Sequence, residues 1–121
     1  MLINLSNHPS NNWSSQQLNA AKRKFGKVVD LPFPLISPKA NTKQVTAKAE
    51  KYLLKIIDLL KSSDDKNNAV HLMGEFTFVF LLGQILKKKK IAVVFSTTNR
   101  IVEEKDGKKI VTFNFVRFRE V

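Results

Sequence analysis

Few side chains in this sequence could carry acid–base or nucleophilic chemistry, and His8 is the main candidate among them. The chain contains two histidines and no cysteine, which excludes thiol nucleophiles and disulfides. His8 lies in the polar segment Ser6–Ser10, and because an unperturbed imidazole titrates near pH ~6.5, it could exchange protons at neutral pH. The alternative is that His8 only hydrogen-bonds within its loop. His71 alternates with apolar residues in a predicted strand, which favours a structural role.

Three polar segments follow predicted strands and together form the candidate site. Ser6–Ser10 follows the first strand, Gly74 and Glu75 follow the third, and Ser96–Arg100 follows the fourth. Ligands of open parallel sheets bind beyond the carboxyl ends of the strands. We therefore expect these segments to converge, offering hydroxyls, amides, one imidazole, one carboxylate and one guanidinium to a ligand.

Several of these residues have a second interpretation. Glu75 begins a predicted helix, so it is either a catalytic carboxylate or a charge that the helix dipole stabilises. The hydroxyls of Ser96–Thr98 could bind phosphate or ribose, or could form the turn that ends a strand. Trp13 could stack on a base or pack against the first helix. Arg117 and Arg119 are either phosphate contacts or part of a solvated edge.

Alternating strand and helix signals must position these residues. The predicted strands are Leu2–Leu5, Lys27–Leu31, Ala69–Met73 and Ile91–Phe95, the helices run from Ser14 to Gly26, over Thr42–Lys61 and over Phe76–Leu86, and a hairpin pairs Ile101–Glu104 with Lys109–Phe118. This order predicts an α/β fold with right-handed crossovers. We expect a single domain over residues 1–121: a small Rossmann-like three-layer sandwich with four mainly parallel strands, three helices and a C-terminal β-hairpin at the sheet edge.

The hairpin is the most sharply specified element of the sequence. The Asp-Gly dipeptide at 106–107 is typical of a two-residue type I′ turn. Pairing through this turn places Glu104 opposite Lys109 and Val102 opposite Val111. Both are favourable cross-strand pairs.

The composition narrows the classes of partner and cofactor. The formal net charge is +11, which favours a polyanionic partner, although an evenly lysine-rich solvated surface explains it equally well. The sequence contains neither a P-loop nor GxGxxG, and its two histidines lack metal-ligand spacing. It also has no Ser/His/Asp order typical of a hydrolase triad. We accordingly expect no cofactor and no metal.

Two further expectations concern location and assembly. No apolar run approaches the roughly 18–20 residues of a membrane span, and the N-terminal segment lacks the features of a signal peptide, so a cytoplasmic protein is expected. The predicted helix Phe76–Leu86 is apolar on more faces than one sheet can cover. That surplus suggests a homodimer.

The chain also resembles a known family through several motifs that cover almost its whole length. These are NLSNHPS followed by Trp13, then DLPFP, HLMGEFTFVF and STTNRIVEEKDGKKIVTFNFVRFREV. They resemble the small CRISPR-associated Rossmann-fold (CARF-like) proteins of type III systems, including the minimal ring nucleases. The resemblance implies a homodimer that binds a cyclic oligoadenylate across its two-fold axis. In several members that ligand is cleaved without metal, which switches off type III CRISPR signalling.

A cyclic oligonucleotide also suits the basic charge, and its cleavage needs a ribose 2′-OH aligned with its own phosphate and acid–base help. We assign catalytic roles to His8, Ser6 and Glu75, and ligand contacts to Asn7, Pro9, Ser10, Trp13, Gly74, Phe76, Thr77, Ser96, Thr97, Thr98 and Arg100. Two other classes stay open. One is a non-catalytic sensor or sponge for a cyclic nucleotide, and the other is a basic module that binds RNA or DNA.

Overall fold

The computed structural model describes residues 1–121, and its core element is one five-stranded sheet. In chain order the elements are β1 (Leu2–Ser6), a short 3-10 helix (Ser10–Asn12), α1 (Ser15–Phe25), β2 (Val28–Asp30), α2 (Thr42–Lys61), β3 (Ala69–Met73), α3 (Phe76–Lys88), β4 (Ala92–Lys105) and β5 (Lys108–Glu120). The strand order is β2-β1-β3-β4-β5. Strand β1 pairs in parallel with β2 and β3, β3 pairs in parallel with β4, and only β5 is antiparallel. The expected α/β class, mainly parallel with a C-terminal antiparallel hairpin, is confirmed.

Helices cover the sheet on both faces and divide the core into two clusters. On one face α2 and α3 pack against each other and against alternate residues of the inner strands, including Ile3, Leu5 and Leu72. On the other face α1 packs near β2 and β5, where Phe115 and Phe118 close a smaller cluster. Residues of β1 and β3 therefore point alternately into two different environments.

The helices begin and end at the residues whose chemistry favours it. Ser14 caps α1, accepting the backbone N–H of Gln17 at 3.2 Å, and Gly26 ends that helix at φ +83°. Asn41 and Gln44 form a capping box at the start of α2. None of the helices combines the length and the apolar character that crossing a membrane requires.

The hairpin register is confirmed, but the segment before it differs from the prediction. Glu104 pairs with Lys109 and Val102 with Val111, around a turn with positive φ at residues 106–107. The predicted loop at Ser96–Arg100 is wrong, because β4 is one strand of 14 residues that passes straight through it. The reason is a change of partner: β3 pairs with only the first three residues of β4, whereas β5 pairs with β4 along nearly its whole length.

Candidate functional site

The candidate site lies at the point where the chain reverses its direction of winding across the sheet. Neighbouring strands β1 and β3 lead into α1 and α3, which lie on opposite faces. Their two connecting loops diverge there and leave a crevice at the carboxyl ends of the strands, which is where open α/β sheets bind ligands. A backbone hydrogen bond from the N–H of Asn7 to the carbonyl of Met73 (3.1 Å) ties the two loops together.

The loop after β1 has a backbone anchored at His8 and an exposed imidazole. The N–H of His8 donates to Ser6 Oγ at 3.2 Å. Its carbonyl oxygen accepts hydrogen bonds from Asn4 Nδ2 and Trp13 Nε1, both at 3.0 Å. Four residues before Trp13, Pro9 adopts an extended conformation (φ −54°, ψ 145°). The ring of His8 is therefore carried by a fixed backbone and stays accessible to a ligand.

Beneath this loop the structure buries three polar side chains: Asn4, Ser6 and His71. Asn4 Nδ2 donates to the carbonyl of His8 and to Asp30 Oδ1 (2.8 Å), and both of these atoms can only accept. Asn4 Oδ1 consequently accepts from the Ser6 hydroxyl (2.8 Å) and faces Nδ1 of His71 (2.9 Å). No buried side-chain polar atom of the protein lacks a hydrogen-bond partner.

This network determines which nitrogen of His71 carries the proton. Because Asn4 Oδ1 can only accept, Nδ1 of His71 must be the protonated nitrogen. In the neutral ring Nε2 then accepts, and the donor within reach is the hydroxyl of Ser96 at 3.1 Å. The proton of Ser96 is thus directed inward, and the free lone pairs of its oxygen face the crevice.

Burial keeps His71 neutral. Desolvation by burial and, as the smaller cause, the charge of nearby His8 together lower the pKa of His71 from its ordinary value of 6.5 to about 4. At neutral pH His71 is therefore an uncharged acceptor for Ser96. The predicted structural role fits the hydrogen bond between Nδ1 of His71 and Asn4, which lies inside the buried network. Nε2 of His71 instead contacts Ser96, which lines the crevice.

Asp30 anchors the other end of the network. Burial acts to raise the pKa of this carboxyl, but hydrogen bonds from the Ser10 hydroxyl (2.6 Å), from Asn4 and from the Ser10 backbone outweigh that and hold the pKa below its ordinary value. Asp30 is consequently ionised at neutral pH. Its charge sits under the loop and holds Ser10 in place.

Two clefts open on either side of His8. The first, of about 640 Å³, lies on the α1 face and is lined by His8, Asn12, Trp13, Ser14, Gln16, Gln17, His71, Met73, Ser96, Thr98, Phe113, Asn114 and Phe115. The second, of about 460 Å³, lies at the start of α3 and is lined by Asn7, His8, Leu72, Met73, Gly74, Phe76, Val79, Phe95 and Ser96. Hydroxyls, amides, imidazoles and aromatic rings line them, and neither contains a carboxylate.

The clefts thus bring together seven of the residues predicted from the sequence: Asn7, His8, Trp13, Gly74, Phe76, Ser96 and Thr98. Trp13 also packs inward, with its ring 5.4 Å from that of His71 and 5.9 Å from that of Phe118. Gly74 has φ +156°, and a Cβ there would lie 2.4 Å from Phe33 Cζ, so this turn requires glycine.

The other predicted residues lie outside both clefts. Glu75 caps α3: its carboxylate accepts from the N–H of Phe78 (2.8 Å) and of Thr77 (3.1 Å), and these bonds hold its pKa below the ordinary value. Thr97 donates to the carbonyl of Arg117 at 3.1 Å. The Ser6 hydroxyl is used inside the buried network, Ser10 is bound to Asp30, and Pro9 lines a third pocket beside Asp30.

Two residues beneath the site, Asn4 and Asp30, were not predicted, and His71 was predicted to have only a structural role. Asn4 and His71 each interrupt an otherwise apolar strand, a signal visible in the sequence because a buried polar residue needs a partner. Asp30 is the exposed last residue of β2, and nothing in its local sequence indicates its bonds to Asn4 and Ser10. Arg100, which was predicted to contact the ligand, extends beyond the clefts on the hairpin, where β5 places it opposite Phe113.

Comparison with known proteins provides a family. No curated protein and no solved structure matches the chain. The model of the Uncharacterized protein MJ1673 family matches residues 1–119, nearly the whole sequence. The chain therefore belongs to the MJ1673 family.

Proposed function

We propose that this protein binds a cyclic oligoadenylate in the clefts beside His8 and cleaves it by metal-independent attack of a ribose 2′-OH, acting as a ring nuclease of type III CRISPR signalling. The observation that carries the proposal is the exposed imidazole of His8, held on an anchored loop between two clefts without carboxylates. The choice of messenger comes from the motif resemblance of the sequence.

The lining of the clefts supports a nucleotide ligand. A carboxylate would repel the phosphates of a nucleotide, and no carboxylate lines either cleft. The net charge of +11 attracts polyanions over a distance. Aromatic rings can stack on bases, and the amides of Gln16, Gln17 and Asn114 match the donors and acceptors on base edges. The free lone pairs of Ser96 Oγ complement a ligand donor such as a ribose hydroxyl or an exocyclic amine.

The reaction needs one group that accepts a proton and one that donates a proton. The 2′-oxygen attacks the adjacent phosphorus as its proton leaves, the bond from phosphorus to the 5′-oxygen breaks, and that oxygen takes up a proton. The products are a 2′,3′-cyclic phosphate and a 5′-hydroxyl. His8 serves at one of these two positions, because it is the exposed imidazole of the site.

The same proposal includes a homodimer. Phe78, Leu82 and Leu86 of α3 face the core, whereas Phe76 and Phe80 are 89% and 64% exposed. Both line an apolar groove of about 640 Å³ beside β4, and Phe76 also lines the second cleft. A second copy in this groove would bring two clefts together. Light scattering at micromolar concentration should give a dimer that Phe80→Glu converts to monomer, and a wild-type monomer would contradict this.

The decisive experiment is incubation of the purified protein with a panel of cyclic oligoadenylates in EDTA, followed by chromatography. Conversion to linear products ending in a 2′,3′-cyclic phosphate supports the proposal. Tight binding without turnover would instead identify a sensor or sponge. Binding that weakens steeply with salt and does not prefer cyclic ligands would identify a general RNA- or DNA-binding module.

A further inference from the structure

Beyond the first cleft, residues 95–105 of β4 and residues 108–119 of β5 form a two-stranded ribbon, which we call the arm. Strand β3 pairs with β4 only as far as Val94, so from residue 95 onward β4 has a neighbour on one side alone. From residue 99 to the end of β5, every residue of this arm is exposed except Phe115 and Phe118. A two-stranded ribbon gains little stability by itself, so the exposed side chains of the arm contribute little to the core.

One face of this arm is continuous with the cleft. Ser96 and Thr98 line the cleft, and alternation along β4 puts Arg100 on the same face. The register pairs Thr98 with Phe115 and Arg100 with Phe113, and Phe113 lines the cleft as well. The cleft therefore continues outward along the arm as a surface that carries a cation beside an aromatic ring.

The two phenylalanines on this face differ sharply in exposure. Phe115 is 6% exposed and belongs to the core cluster under α1, whereas Phe113 is 61% exposed. Isolated exposed apolar side chains are common and by themselves mean little. Phe113 differs from them because it lines a cleft and stands directly across from a guanidinium.

We propose that Arg100 and Phe113 form a second nucleotide subsite, in which the ring of Phe113 stacks on a base and the guanidinium of Arg100 binds the neighbouring phosphate. This inference rests on the proposed function and deepens it, because it makes the ligand longer than one nucleotide. Side chains directly opposite in a ladder have Cβ atoms about 4.5–5.5 Å apart, a separation suited to a base and its adjacent phosphate. Arg100 supplies the charge complementarity, and stacking on Phe113 tolerates any base.

The test compares ligands of different length. Binding of 2′-deoxy cyclic tetra- and hexaadenylate, which cannot be cleaved by 2′-OH attack, is measured alongside adenosine monophosphate. Phe113→Ala should weaken binding of the cyclic ligands roughly 5- to 150-fold, because stacking contributes about 1–3 kcal/mol per base. Binding of the monophosphate should stay unchanged, and Phe113→Trp should restore cyclic-ligand affinity.

Matched controls separate the subsite from general effects. Arg100→Ala should weaken cyclic-ligand binding and reduce its salt dependence by about one phosphate contact. Ile101→Ala alters the opposite face of the same arm, and Lys51→Ala removes a cation from the exposed surface of α2. Neither should change affinity.

The outcomes distinguish the two proposals. If the wild type binds the cyclic ligands and Phe113→Ala binds them equally well, the subsite is wrong while the proposed function stands. If the wild type binds none of the ligands, the proposed function fails and the subsite fails with it. Equal losses in Phe113→Ala and Ile101→Ala would attribute the effect to the fold of the arm and would also overturn the subsite.

Discussion

The two faces of strands β1 and β3 bury different chemistry. Toward α2 and α3 the alternate residues are aliphatic up to the strand ends, as with Leu5 and Leu72. Toward α1 the same strands begin with apolar residues and then place Asn4, Ser6 and His71 under the clefts. One face of these strands therefore supplies stability, while the other positions a loop and a hydroxyl at the candidate site.

Substitution of His8 tests whether the loop on the α1 face takes part in the reaction. If His8 transfers a proton, His8→Ala should slow cleavage of cyclic oligoadenylate about 10²–10⁴-fold, with a much smaller change in binding. Single-turnover chromatography measures the rates of both proteins, and EDTA should have no effect on either.

Lys51→Ala is the control for this substitution, because Lys51 lies on the exposed surface of α2. Cleavage by His8→Ala at the wild-type rate would show that His8 is not an acid–base catalyst. Positioning of the ligand by the anchored loop would then be the better explanation.

A second pair of substitutions compares how much each face of the sheet contributes to the free energy of unfolding. Leu72→Ala should lower the free energy of unfolding by about 2–5 kcal/mol, because it leaves a cavity in the larger core cluster. Ser96→Ala, on the cleft side, removes one hydrogen bond to His71 and should cost only about 1 kcal/mol. Urea denaturation measures both variants, and equal losses would show that the division between the faces is wrong.

A third effect depends on pH. The folded pKa of His71 is about 4 and its ordinary value is 6.5, so the unfolded chain binds the extra proton between these values. Neutral His71 therefore makes its full contribution to the free energy of unfolding above pH 6.5. That contribution is lost as pH falls toward 4, by at most about 3 kcal/mol.

Denaturation at a series of pH values from 7 to 4 checks this. His71→Gln keeps an amide donor for Asn4 but cannot titrate, so its stability should fall less over the same interval. Parallel curves for the two proteins would assign the loss to other groups.

How much the sequence could predict depended on the range of the interactions. The hairpin register was correct because the Asp-Gly turn specifies it locally. The path of Ser96–Arg100 was wrong because whether that polar segment forms a strand is decided by pairing with β5, which comes later in the chain. For the site, the loop of His8 followed from topology, whereas the contacts of His71 join residues 67 and 25 positions apart and leave no mark in local spacing.

One irregularity in the hairpin has a consequence for how this family could vary. The register shifts between Thr97 and Thr98, where Thr97 pairs with Arg117 and Thr98 with Phe115, leaving Val116 as an extra, unpaired residue. Val116 is the extra residue of this β-bulge. The side chains of Phe113 and Phe115 therefore lie on the same face of the ribbon as that of Phe118. A bulge also adds local twist to its strand. Deleting Val116 should therefore leave every side chain of the arm on its present face of the ribbon while reducing the local twist. Presence or absence of this one residue would change the direction in which the arm points without changing which side chains it presents to the cleft.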